Sequence, residues 1–142
     1  MIPYRISFLL IFFSLAAFTC LAGRYNIRAT LECVNYEPET VSLVGTLSRR
    51  TFINASDQKE VVWILKLAEP ICVNADDEND FNVRRSSVTD VQLVVLDRSV
   101  YSKHRELLGR RAKVTGTLFG EHTAHHFTAV LISLTGITPY PK

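Results

Sequence analysis

The chain has 142 residues, nearly half of them hydrophobic, with 16 Lys and Arg against 14 Asp and Glu. That length allows one domain with its own core, and so even a charge balance excludes the strongly basic surface by which nucleic-acid binders hold phosphate. Residues 1–22 read as a secretory signal: Arg5 supplies a positive start, Ile6 to Phe18 is an unbroken run of apolar residues and Ser, and Cys20-Leu21-Ala22 offers small residues at the cleavage positions. As a helix the run spans roughly 20 Å against about 30 Å of hydrocarbon, so cleavage after Ala22 is expected rather than a retained anchor. Acylation at Cys20 is a further alternative, disfavoured because Phe18 and Thr19 stand where a lipobox wants small residues.

Residues 23–142 are then expected as a single periplasmic or secreted domain, in contact with a membrane only through an uncleaved signal. Losing Cys20 leaves Cys33 and Cys72. In an exported chain an even pair reads as one disulfide, the alternative being two buried free thiols.

Five segments are rich in β-branched residues and bounded by polar or glycine-containing stretches: Val41–Arg49, Val61–Leu67, Val91–Leu96, Arg111–Phe119 and Thr128–Ile137. The first places Val41, Leu43 and Leu47 on one face. The second is apolar on both faces, which predicts a covered central strand with Trp63 as core rather than as a stacking platform. Arg50 to Glu60 is expected to connect these two. It contains the sequon Asn54-Ala55-Ser56, which marks a glycosylation site only in a suitable host. The connection from Val73 to Val88 clusters Asp76, Asp77, Glu78 and Asp80, but it lacks the glycine and the bidentate glutamate of an EF-hand loop and reads as a solvated acidic loop.

Arg98 to Leu108 breaks the strand period, since Val100, Tyr101, His104, Leu107 and Leu108 recur at helical spacing, and Asp97 or Ser99 can cap its start. The order of three strands, a helix and two strands predicts an all-β protein with one helix, an OB-fold-like five-stranded Greek-key barrel, with an open antiparallel sheet as competitor. Gly45 and Gly116 sit mid-strand, where a small barrel needs sharp coiling. Leu107, Leu118, Val130 and Ile132 are expected to be buried.

Between the last two strands lies Leu118 to Val130, LFGEHTAHHFTAV. His122, His125 and His126 stand there as candidate ligands for a divalent metal, and Thr123 and Phe127 as candidate binding residues. Imidazoles suit zinc, copper or nickel, but a structural zinc wants four ligands, and His104 could supply the fourth only if the fold brings it near. The competing expectation is that the three splay apart and pin the loop, each bonded to backbone or to an acid such as Glu121, with no cofactor held. No nucleophile elbow supports a hydrolase, so an enzyme is not expected.

The segments Cys33-Val-Asn-Tyr-Glu-Pro38, Val44-Gly-Thr-Leu47, Leu67-Ala-Glu-Pro-Ile-Cys-Val73, Val91-Gln-Leu93, Val114-Thr-Gly-Thr-Leu-Phe119 and His122-Thr-Ala-His-His126 together resemble the bacterial family known as domain of unknown function 4431. The resemblance spans nearly the whole of residues 23–142 and implies an exported protein with an OB-like barrel, but no activity. The chain departs from the family pattern at Ala124, Phe127 and Ala129, where Gly, a further His and Pro are usual. It also has Arg50 to Glu60 where the family carries Asn-Tyr-Glu-Ser, so a site built on the extra histidine is in doubt here. What remains is a small binding module, recognising a protein or small ligand through the face beside His122–His126, with a periplasmic metal-binding protein as the alternative.

Overall fold

The computed structural model describes residues 32–141, so the secretory signal expected over 1–22 lies outside the described residues. Five strands form in chain order: β1 (Thr40–Ile53), β2 (Lys59–Val73), β3 (Arg85–Val94), β4 (Arg111–Gly120) and β5 (Val130–Pro139). Each pairs with two neighbours in the order β1-β2-β3-β5-β4, and β4 returns to β1, so the sheet closes into a barrel. All neighbours are antiparallel except β3 and β5. The all-β expectation holds, and β4 and β5 form the hairpin that carries the histidines.

The interior is the alternating set read from the sequence. Leu47, Leu65, Val91, Val114, Leu118, Val130 and Ile132 are fully buried, and Leu107 closes one end. Gly45 and Gly116 prove to be places where backbone crosses backbone. A Cβ there would fall 2.3 Å from the Lys66 carbonyl oxygen and 2.1 Å from that of Ser133, closer than any side chain can approach.

Three expectations need correction. The β1–β2 connection is not Arg50–Glu60 but the turn at 54–58, because β1 runs on to Ile53 and β2 begins at Lys59. The added rungs pair Arg50 with Val62 and Phe52 with Glu60 outside the barrel wall, where neither face is uniformly apolar and hydrophobic alternation is lost. The Arg98–Leu108 helix is broken: α1 spans Ser99–Lys103 and a 3-10 turn spans Arg105–Leu107, with His104 between them out of helical geometry. Asp97 secures the start by accepting hydrogen bonds from the Ser99 N–H and hydroxyl. The doubly apolar reading of β2 holds for Trp63, Ile64 and Leu65 only, since Val61 and Lys66 are exposed.

Cys33 and Cys72 are bonded, with Cα atoms 4.6 Å apart. The bond ties the segment before β1 to the end of β2, beside the Val34–Val73 bridge. Tyr36 is thereby carried into the core, its hydroxyl donating to the Val83 carbonyl.

Candidate functional site

Ile64, Gln92 and Leu131 stand side by side across β2, β3 and β5. All three are buried, yet Ile64 and Leu131 lie outside the interior cluster, so this is a second apolar layer on the outer wall. Its cover is the β4–β5 loop. Gln92 donates through Nε2 to the His125 carbonyl at 2.9 Å and accepts the Phe127 N–H at 2.7 Å, while its own N–H donates to the Thr128 hydroxyl at 3.0 Å. A buried side-chain amide with its bonds filled by one loop is a strong clamp, because leaving any of them unmade costs about 1–3 kcal/mol.

The turn at 54–58 grips the same loop from the other side. Asn54 folds the turn by accepting the N–H groups of Ser56 and Gln58, and its Nδ2 donates to Glu60 Oε1 at 2.6 Å. The same oxygen lies 2.5 Å from His125 Nδ1. The hydrogen bond from Asn54, helped by His125, holds the Glu60 carboxyl below the usual range against its partial burial. Beside this relay Phe52 stacks on Phe127, with ring centroids 4.6 Å apart and the planes nearly parallel. Asn54 is itself buried, so the sequon nitrogen is engaged inside the fold.

The acidic connection supplies a third support. It is not simply solvated. Asp76 accepts from the Glu78 N–H and from Asn82 Nδ2, and fully buried Asn82 accepts the Gly120 N–H at 2.8 Å, at the root of the histidine loop. Phe81 from this connection packs against the His122 ring, and Arg85 pairs with Glu121.

The three histidines therefore divide. His125 turns to Glu60 at the start of β2. His122 and His126 meet edge to face, with centroids 4.6 Å apart, and both lean on Phe119. His122 Nδ1 lies 3.0 Å from the Gly120 carbonyl, and its N–H donates to His126 Nδ1 at 3.1 Å. Glu121, the acid expected to serve them, faces Arg85 instead. Thr123 shapes the loop tip, its hydroxyl accepting the His125 N–H and its carbonyl the His126 N–H. His104 is half-buried after the helix, and among the described residues it joins no metal-holding group with these histidines. Among the described residues no group of three His, Cys, Asp or Glu side chains is arranged to hold a metal. Calorimetric titration with zinc, copper and nickel is accordingly expected to give no binding at micromolar concentration. Tight binding that disappears in the His122→Ala/His125→Ala/His126→Ala variant would restore a metal centre.

Burial, together with the charges of His122 and His125, pushes the His126 imidazole below its ordinary value of 6.5, with Glu121 opposing weakly. The unfolded chain takes up this proton near pH 6.5 and the folded chain only at lower pH. Stability present above 6.5 is therefore lost as pH falls toward the folded value. Protonation also removes the acceptor for the His122 N–H. Urea unfolding at pH 7.5 and 5.0 is expected to show a larger loss for the native protein than for His126→Ala. An equal loss in both would place the acid sensitivity elsewhere.

Beside the clamped loop, a groove of about 780 Å³ runs between the ends of β2 and β3, lined by Glu60, Val62, Gln92, Arg98, His125 and His126 among others. A smaller cleft of about 340 Å³ adjoins it, where Trp63 and Tyr101 pack at 5.0 Å between Arg49 and Arg105. Sequence reading found the histidines and Phe127. It missed Phe52, Glu60, Gln92 and Asn82, which hold them, because each gains this role from a loop partner at least 33 positions away.

Residues 90–138 match the family described as Domain of unknown function (DUF4431), about a third of the chain, running from the end of β3 through the histidine loop to β5. No curated protein matches the chain.

Proposed function

Taking residues 90–138 as a DUF4431 domain, we propose that this protein is an exported binding module with an OB-like barrel, which recognises a protein or small ligand through the groove beside His122–His126. The observation that carries the reading is the double clamp on that loop, by Gln92 beneath and by the Asn54–Glu60–His125 relay and the Phe52–Phe127 stack at the side. A loop with so many contacts of its own presents a pre-formed surface, which lowers the ordering cost of association. The strand order, with α1 between β3 and β4, supports the OB-like assignment, in which the first and last hairpin loops flank the ligand face. A formed Cys33–Cys72 bond favours an oxidising compartment, in keeping with export.

Site-specific photo-crosslinking in the native host tests this. A photoreactive residue at Val62 or Ala124 is expected to yield a discrete adduct, and one at Thr138, on the far end of β5, none. Adducts from Thr138 alone, or none at any position, would count against the groove.

A further inference from the structure

We infer that the groove takes an extended acidic segment of a partner protein, added as a strand to the open edge of β2 at Lys59–Val62. The inference rests on the binding-module reading and names the chemistry of its partner.

On one side these four residues pair with Arg50–Ile53 of β1. On the other side pairing with β3 begins only at Trp63–Leu93, and no strand among the described residues covers Lys59–Val62. Strand alternation says which groups are left open. The Asn54 N–H donates to the Gln58 carbonyl, so in the same ladder Glu60 and Val62 bond to β1 and Lys59 and Val61 face away. Gln92 turns its N–H to Thr128, which gives β3's β2-facing groups to Leu93 and agrees with Trp63, Val61 and Lys59 sharing one edge. The N–H and C=O groups of Lys59 and Val61 thus face the groove, at the spacing an added strand uses.

Charge selects the occupant. Lys59 and Arg98 line the groove, and Arg49 and Arg105 line the adjoining cleft. None of the four has a side-chain hydrogen bond or ion pair among the described residues. The one carboxylate present, Glu60, is engaged by Asn54 and His125. Val61, 45 % exposed, and Tyr101 give the alternate side chains of the strand an apolar seat between the cations. Residues 1–31 are a poor occupant, since they carry Arg5, Arg24 and Arg28 and no acidic residue. Lysine on an exposed edge also guards against pairing. A guard alone, however, needs neither the groove nor three arginines.

The test is amide-resolved NMR titration of the purified protein with a decapeptide of alternating Glu and Val, its Lys–Val counterpart, and a Glu–Val copy methylated at every backbone nitrogen. The Glu–Val peptide is expected to shift the amides of Lys59 and Val61 most and to slow their hydrogen exchange. The other two peptides should bind at least about tenfold more weakly, as should Glu–Val to the Lys59→Glu/Arg98→Glu variant. Equal binding of the Lys–Val or the methylated peptide would overturn the proposal. Shifts confined to His125–Phe127 would sink the added strand while leaving the groove as a binding face. Absence of shifts throughout the groove would count against the strand and the binding face together. Concentration-dependent shifts at Lys59 and Val61 without peptide would assign the edge to a second copy of the chain and overturn the acidic partner.

Discussion

Replacing Cys33 and Cys72 together by serine is expected to lower the free energy of unfolding by about 3–4 kcal/mol, the chain-entropy value for the 39-residue separation they close. The bond closes a loop that contains β1 and most of β2, so in the unfolded chain it removes the largest share of freedom from the part of the barrel with the longest strands. In the folded state it sets Val34 beside Val73, where the Val34 N–H donates to the Cys72 carbonyl and the Asn74 N–H to that of Val34. Without it the segment carrying Tyr36 is held by those bonds and its own burial alone. Urea unfolding of the native and doubly substituted proteins, in the absence of reductant, measures the difference. A loss below about 1 kcal/mol would show that the lead-in segment docks equally well unlinked, and that the bond is dispensable to the fold.

Asn82→Ala is expected to cost about 2–4 kcal/mol, well above the usual surface substitution, because it strands the Gly120 N–H in a buried place and removes a partner of Asp76. The position cannot relax easily. Gly120 is packed against the backbone of the acidic connection, where a Cβ would fall 1.9 Å from the Phe81 carbonyl oxygen, so the strand end has little freedom to turn its N–H to a new partner. The effect should reach function as well as stability. Asn82 anchors the root of the loop that carries His122, so the variant should show faster hydrogen exchange at Gly120 and His122 while the strand amides of β1 remain protected. Uniform loss of protection across the barrel would mean that Asn82 supports the whole core and not the loop.

The cysteine pair and Asn82 mark the division between what could be read along the chain and what could not. Strand alternation marks where β1, β2, β4 and β5 begin or end to within a few positions, because burial on one face leaves a period of two in the residues themselves. The cysteine pair and the β4–β5 hairpin were equally legible, since both depend on residue type and local order. Periodicity failed at Arg50–Ile53, where β1 outruns the barrel and loses its apolar face, and at His104, where the helix breaks. The holders of the histidine loop were invisible for a different reason. Gln92, Glu60, Phe52 and Asn82 have ordinary neighbours in sequence, and each becomes specific only through hydrogen bonds or ring contacts made after the barrel closes. The division of the three histidines was decided in the same way. Their spacing within five positions permits a shared metal or a pinned loop, and tertiary structure alone brings Glu60 to His125 and Phe81 to His122. Sequence by itself determined which strands form. Closure of the barrel determined which side chains meet, because contact across strands depends on register and shear that no local pattern encodes.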